Sequence, residues 1–244
     1  MTPALHIQDL RIEYRLKDDV KVAVERLSLT IEHGELFALL GPNGAGKTSM
    51  ISAMVSLIPF QGGEIKIFDH PAGTVAAKKC IGLVPQELVS YGFFTVNEIL
   101  QFVSGYYGIL NNQKRIDYLL ERLQLQSQKN KLVSQLSGGM KRRMLIAKAL
   151  VHSPKILLLD EPSAGVDVEL RTILWDFVKE LNASGMTIIL TTHYLEEAQR
   201  LCKRTAIMDH GKLLAMDYTD KIIADEKNLE EAFLKLVKKR GPNA

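Results

Sequence analysis

Gly41-Pro42-Asn43-Gly44-Ala45-Gly46-Lys47-Thr48 follows directly on Leu36-Phe37-Ala38-Leu39-Leu40, and the order of these two stretches decides the fold. A short, unbroken apolar run bounded by turn residues reads as a buried strand of a parallel sheet. The residues after it fit the pattern G-x-x-x-x-G-K-[ST]. Thr48 to Leu57 then reads as a helix that stops near Pro59. Strand, glycine-rich loop and helix in that order make a phosphate-binding loop. Its glycines let backbone N–H groups close around phosphate oxygens with no Cβ in the way. The helix N-terminus adds the positive end of its dipole. Lys47 can reach the β- and γ-phosphates, and the Thr48 hydroxyl can hold Mg²⁺. Gly41, Pro42, Asn43, Gly44, Ala45, Gly46, Lys47 and Thr48, with Ser49 beside them, therefore predict a site for a nucleoside triphosphate.

Outward from the loop, the first thirty-five residues alternate apolar and polar positions: Leu5 and Ile7, then Leu10, Ile12 and Tyr14, later Val22 and Val24, then Leu27, Leu29 and Ile31. Period two of this kind predicts antiparallel strands with one solvated face, and Lys17-Asp18-Asp19 marks a turn between two of them. Gly62-Gly63 opens a short strand through Phe68. From about Phe94 to Leu150 the period becomes helical, as in an inserted helical block. Lys155 to Asp160 and Thr187 to His193 are two further buried strands, and a hairpin is expected around His210-Gly211. Leu229, Phe233, Leu236 and Val237 share one helix face, expected to dock on the chain's own domain, and the basic end from Lys238 reads as a frayed tail. A net charge of +3 over 244 residues gives no argument for nucleic acid, and two cysteines outside any metal spacing fit a reducing compartment. The N-terminus lacks signal-peptide order and no apolar run reaches eighteen residues, so any membrane span is expected on a partner. Lys141-Arg142-Arg143 covers less than a helical turn and reads as a solvated face near bound phosphates.

Two further stretches carry chemistry. Ile156 to Leu159 ends in Asp160-Glu161, and an acid at the tip of a buried strand can hold Mg²⁺ through water. Neighbours on a strand point to opposite sides, so Asp160 is read as the metal residue and Glu161 as the general base toward an attacking water. Leu136-Ser137-Gly138-Gly139-Met140 opens a long helical stretch, which presents free N–H groups, a hydroxyl and a dipole end. By itself Ser137 reads as an ordinary N-cap. If two chains face each other head to tail, each Ser137 loop can instead cap the γ-phosphate held by the other.

With these motifs in this order, about residues 5–215 resemble the ABC ATPases, Leu136 to Met140 being similar to their signature motif. The resemblance implies an α/β fold: a P-loop NTPase (RecA-like) core with an N-terminal antiparallel β-subdomain and an inserted α-helical subdomain. Core and β-subdomain would occupy about 1–86 and 151–225, the helical subdomain about 87–150, and a C-terminal helix and tail 226–244. It implies roles for further residues. Gln86 would touch Mg²⁺ from the Q-loop, Asp167 would lie in the D-loop, His193 would contact the γ-phosphate, and Tyr14 would stack on adenine. Lys47, Glu161 and His193 would be catalytic; Thr48, Gln86 and Asp160 would hold Mg²⁺; Ser137, Gly138 and Gly139 would act on ATP bound by the facing chain. Ser163 and Val166 stand where Thr and Leu are commoner, a change small enough to leave hydrolysis intact.

Within the family, Met140, the phrase Thr192-His193-Tyr194-Leu195-Glu196-Glu197-Ala198 and the ending Asn228 to Phe233 resemble multidrug/ABC-2-type exporters. Those pair two ATPase subunits, identical or homologous, with integral-membrane permeases, at the cytoplasmic face of the membrane (the inner membrane in bacteria). A groove between Gln86 and about residue 105 would receive a permease helix. An importer subunit is the alternative. A soluble relative acting on ribosomes or DNA usually carries two cassettes or a long insert, which this chain lacks, and a P-loop kinase or GTPase leaves Ser137 and His193 unexplained.

Overall fold

The phases of the N-terminal alternation slip twice, between Ile7 and Leu10 and between Val24 and Leu27, and both slips have a backbone cause. In the computed structural model, which describes residues 2–15, 19–87, 92–163, 168–224 and 226–238, these segments form two long antiparallel strands, β1 (Leu5–Arg15) and β2 (Val20–Ile31). Asp9 on β1 (φ 48°) and Arg26 on β2 (φ 48°) take the left-handed conformation at register shifts. Each bulge inserts one residue, so the apolar set returns to the same face instead of crossing to solvent. Leu5, Ile7, Leu10, Ile12, Val24, Leu27, Leu29 and Ile31 are all buried together. Residues 17 and 18 of the expected turn lie outside the described residues.

The apolar run after it is β3 (Leu36–Leu40), fully buried, and α1 (Lys47–Met54) follows the glycine-rich loop. The helix stops short of the expected Leu57 because Ser56 turns left-handed at φ 59°. Next come β4 (Gly62–Ile67), β5 (His70–Pro71), α2 (Val75–Cys80) and β6 (Ile81–Val84). The four-stranded antiparallel sheet runs β2-β1-β4-β5.

The helical block contains α3 (Val96–Tyr106), α4 (Gln113–Arg122) and α5 (Gly138–Leu150). Thr95 and Glu98 close a capping box on α3, which satisfies amides at its first turn from both directions. Ile99, Leu100, Ile116, Leu119, Leu120 and Leu145 pack between these helices and continue into the core under the main sheet.

That sheet is completed by β7 (Ile156–Asp160), α6 (Val168–Ala183), β8 (Thr187–Thr191), α7 (Leu195–Leu201), β9 (Arg204–Asp209) and β10 (Lys212–Tyr218), followed by α8 (Thr219–Ile223) and α9 (Leu229–Lys238). Its order is β10-β9-β3-β8-β7-β6, parallel throughout except for the antiparallel edge strand β10, which makes the expected hairpin with β9. Alternate residues feed different cores. Phe37, Leu39, Ile156, Leu158 and Ile189 meet α1 and the antiparallel sheet. Leu36, Ala38, Leu40, Leu157, Leu159, Ile188 and Leu190 meet the helices on the other face. Two covered faces explain why these strands read as unbroken apolar runs. On the C-terminal helix, Leu229 is fully buried and Phe233 and Leu236 pack partly against the core, as the apolar stripe predicts. Among the described residues, no helix is long and apolar enough to cross a membrane.

Candidate functional site

In an open parallel sheet ligands bind beyond the carboxyl ends of the strands, where the connections diverge. Here β3 lies between β8 and β9, so the loop that leaves it emerges in the middle of that edge. The loop needs glycine for two different reasons. A Cβ on Gly41 would sit 2.4 Å from the Met208 carbonyl oxygen of β9, a clash with backbone. Gly44 and Gly46 have φ of 82° and 101°, and a Cβ on Gly46 would also lie 2.3 Å from the Ala23 carbonyl oxygen. The Gly211 amide at the hairpin tip donates to the Ala45 carbonyl at 3.0 Å and props the loop from outside. Since Gly46 is the N-cap of α1 and has no side chain to cap it, the first amides of the helix stay open to an anion.

Lys47 is buried, and its Nζ donates to the carbonyls of Gly41 (2.7 Å) and Pro42 (3.1 Å). Burial pulls the ammonium below the usual lysine range, while the charges of Glu161 and Asp160 push it back up. A cavity of about 540 Å³ opens over the loop, lined by Tyr14, Lys21, Ala23, residues 43–49, Gln86 and Glu161. That volume suits a nucleotide-sized ligand. Tyr14 is partly exposed on its wall and shares a hydrogen bond with Ser49 (Oη to Oγ, 3.1 Å).

Asp160 ends β7, and its Oδ1 accepts from the Thr191 hydroxyl at 2.6 Å. Contrary to the expected alternation, the two acids are not neighbours on one strand, because β7 stops at Asp160. Glu161 has φ 48°, and that left-handed turn, held by donation from its N–H to the Thr191 carbonyl (3.0 Å) and hydroxyl (3.1 Å), sets the direction of its side chain. Glu161 Oε2 accepts from Gln86 Nε2 at 3.0 Å and lies 3.4 Å from His193 Nδ1. The edge strand β6 makes this possible: Val84 pairs with Leu159 on β7, so Gln86 reaches the end of the sheet beside Glu161. β8 ends at Thr191, so His193 stands beyond the strand that was expected to carry it, with its side chain half-exposed. Thr48, Gln86 and Asp160 offer a hydroxyl, an amide carbonyl and a carboxylate, an all-oxygen set that suits Mg²⁺ alongside phosphate oxygens. With Gln86 Nε2 given to Glu161, its Oε1 is the atom left to face a metal.

Ser137, Gly138 and Gly139 are not among the residues lining this cavity. Ser137 is the N-cap of α5, its Oγ accepting from the Met140 amide at 3.3 Å, and both it and Gly138 are exposed. Asp167, with the rest of 164–167, lies outside the described residues.

The reading of Lys141-Arg142-Arg143 as a solvated face is wrong. Arg142 is only 4% exposed. Its Nη1 donates to the Pro85 carbonyl at 2.6 Å, and its Nη2 to those of Gln86 (2.9 Å) and Glu161 (3.4 Å). Arg143 Nη1 donates to the Leu123 carbonyl at 3.0 Å. One guanidinium thus ties the helix that starts at Ser137 to the backbone of both Gln86 and Glu161. A signal was present: Leu145, Ile146 and Ala149 stand three, four and seven residues beyond Arg142, on the buried stripe of α5.

A family profile described as ABC transporter matches residues 24–164. The linearmycin resistance ATP-binding protein of Bacillus subtilis (strain 168) is 41% identical over 200 residues, covering 80% of this chain and 64% of that protein. Nod factor export ATP-binding protein I of Rhizobium sp. (strain N33) is 42% identical over 199 residues, covering 80% and 66%. The namesake from Burkholderia pseudomallei (strain 1710b) is 40% identical over 209 residues, covering 84% and 68%. The chain therefore spans about two thirds of the length of these relatives, slightly less for the first two. Among solved structures, an ATP-binding subunit of an ABC transporter superposes with a TM-score of 0.88 at 27% identity, covering 96% of this chain and all (100%) of that one. A dimeric bacterial ABC transporter cassette gives 0.81 at 24% identity, over 88% of this chain and 98% of its own, a likeness of fold.

Proposed function

We propose, from the premise that this chain belongs to the ABC transporter family, that it binds ATP and hydrolyses it to drive an export permease. The observation that carries this reading is the division of the site. The phosphate loop, Gln86 and Glu161 share one cavity, while the second anion-binding helix start, at Ser137, is exposed and outside that lining.

Phosphoryl transfer to water is mostly positioning and charge stabilisation. The amides of residues 43–48 and the Lys47 ammonium hold the β- and γ-phosphates. Thr48, Gln86 and Asp160 would hold Mg²⁺, which would neutralise phosphate charge. Glu161 orients the attacking water and takes its proton on a carboxylate oxygen, and His193, 3.4 Å away, reaches toward the γ-phosphate. Tyr14 stacks on the adenine. Ser137, Gly138 and Gly139 of a second copy, or of a homologous subunit, close the cage. ATP then joins two protomers and hydrolysis releases them. The helical block, about 87–150, transmits this movement. Phe93 (97% exposed), Phe94, Phe102 and Tyr106 form an aromatic rim around α3 that suits a helix of a membrane-embedded permease. Such a subunit works at the cytoplasmic face of the membrane, and the names of the relatives favour export.

The Glu161→Gln variant tests the assignment. It is expected to bind ATP as the parent does, to lose turnover and to accumulate as a closed dimer in gel filtration. Turnover at the parent rate would remove Glu161 from the role of base.

A further inference from the structure

Resting on the hydrolytic reading above, we infer that Glu197 is a positioning residue that holds the base Glu161 and the histidine His193 at their working separation. Glu197 lies in the first turn of α7 and is 6% exposed. Its Oε2 accepts from the Ser163 hydroxyl at 2.8 Å and from the Thr192 hydroxyl at 3.1 Å. Ser163 stands two residues after Glu161, and Thr192 immediately precedes His193. One carboxylate oxygen therefore joins the two loops that carry the pair, and Glu197 is not among the residues lining the cavity. Thr192 passes the constraint on, because its Oγ1 accepts from the Tyr194 amide at 2.9 Å.

A second route runs in parallel. Arg171 Nε on α6 lies 3.4 Å from Glu197 Oε1, and the same guanidinium sits 4.8 Å over the Tyr194 ring. That ring leans on the His193 imidazole at 4.1 Å between centroids. A carboxylate in the first turn of a helix can serve merely to complement the helix dipole. Glu197 is different in that its oxygens meet side chains of three other segments, and a buried carboxylate is costly unless such partners are in place. The arrangement has the form of an outer support that locks the rotamers of a reacting pair.

The test uses the full chain in three variants. Glu197→Gln keeps the shape and one acceptor oxygen but loses the charge that pairs with Arg171 and strengthens the bonds from Ser163 and Thr192. Ser163→Ala with Thr192→Val removes both hydroxyls, whereas Ser163→Thr with Thr192→Ser keeps them. Misplacing reacting groups by a fraction of an ångström to an ångström lowers rates by about 10- to 100-fold. That loss in kcat is expected for the first two variants, with ATP affinity close to the parent in both, a displaced His193 ring signal in the NMR spectrum, and recovery in the third; the melting temperature stays close to the parent in Glu197→Gln and falls in Ser163→Ala with Thr192→Val, where the buried carboxylate loses both hydroxyl donors. Parent kcat together with an unmoved His193 signal in Glu197→Gln would overturn it. So would a fall in ATP affinity and melting temperature in that variant that matches the fall in rate, the mark of a structural role. Failure of the hydrolytic reading is separate: it appears as turnover in Glu161→Gln, and the His193 signal still judges Glu197 by itself.

Discussion

Replacing Arg142 by methionine removes one guanidinium that binds three backbone carbonyls, and its cost can be worked from the geometry. Two of the bonds, to Pro85 (2.6 Å) and Gln86 (2.9 Å), are of full strength, and the third, to Glu161 at 3.4 Å, is marginal. Hydrogen bonds from a charged donor contribute about 1.5–3 kcal/mol each, so the two good ones total about 3–6 kcal/mol. Against this, a buried cation is costly to desolvate. Burial indeed holds Arg142 below the usual arginine range, with the charges of Asp160 and Glu161 pushing it back up. Methionine fills much of the stem volume but leaves the carbonyls without their donor. The net loss is expected to be about 2–4 kcal/mol, the upper half of single-substitution effects. At about 2–4 °C per kcal/mol for a domain of this size, the melting temperature falls by about 4–16 °C. Urea unfolding checks the value, with the midpoint falling at constant slope. ATP turnover should fall further than stability implies, because Gln86 and Glu161 lose a common anchor. A loss under about 0.5 kcal/mol, the level of ordinary surface substitutions, would refute the reasoning.

Gly46→Ala forces a Cβ to within 2.3 Å of the Ala23 carbonyl oxygen at φ 101°. A left-handed non-glycine residue alone costs about 1–3 kcal/mol, so calorimetry should record both a lower melting temperature and loss of ATP binding. Tyr14→Ala is expected to weaken ATP binding by about 1–3 kcal/mol, the range for base–aromatic stacking, with kcat at saturating ATP unchanged. Equilibrium dialysis with ATP and with inorganic triphosphate separates the two roles, since only ATP should lose affinity.

The fold was legible where one physical signal dominates. Leu36 to Leu40 is apolar because both faces of β3 are covered, and Gly41 and Gly46 after it answer to backbone contacts at Met208 and Ala23. The N-terminal strands were legible in outline, and the slips in their period turn out to mark the bulges at Asp9 and Arg26. Tyr14, Gln86, Glu161 and the phosphate loop, read from separate stretches, line one cavity. Three features were not legible. The direction of Glu161 depends on a left-handed φ that residue type does not announce. The burial of Arg142 is signalled by the apolar stripe of α5, but its partners are not, because they are carbonyls, which every residue owns and no pattern records. Glu197 joins segments around positions 163 and 192 that meet only after the sheet has formed. Periodicity finds what a residue avoids, namely water, more readily than the particular atom it touches.

The central claim is that each protomer holds half of a hydrolytic site and receives the other half from the facing chain. Two defective proteins test it: Lys47→Ala, which damages the cradle, and Gly138→Asp, which puts a negative charge at the start of α5. Gly138 is exposed and a Cβ there meets nothing within 4 Å, so the second substitution starts into open space on its own protomer. Steady-state ATPase is measured on each protein alone and on their mixture. Neither protein is expected to hydrolyse ATP alone, and the mixture is expected to regain activity, because a mixed dimer pairs an intact cradle with an intact Ser137 loop. A mixture as silent as its components, or parent-level hydrolysis by Gly138→Asp alone, would contradict it.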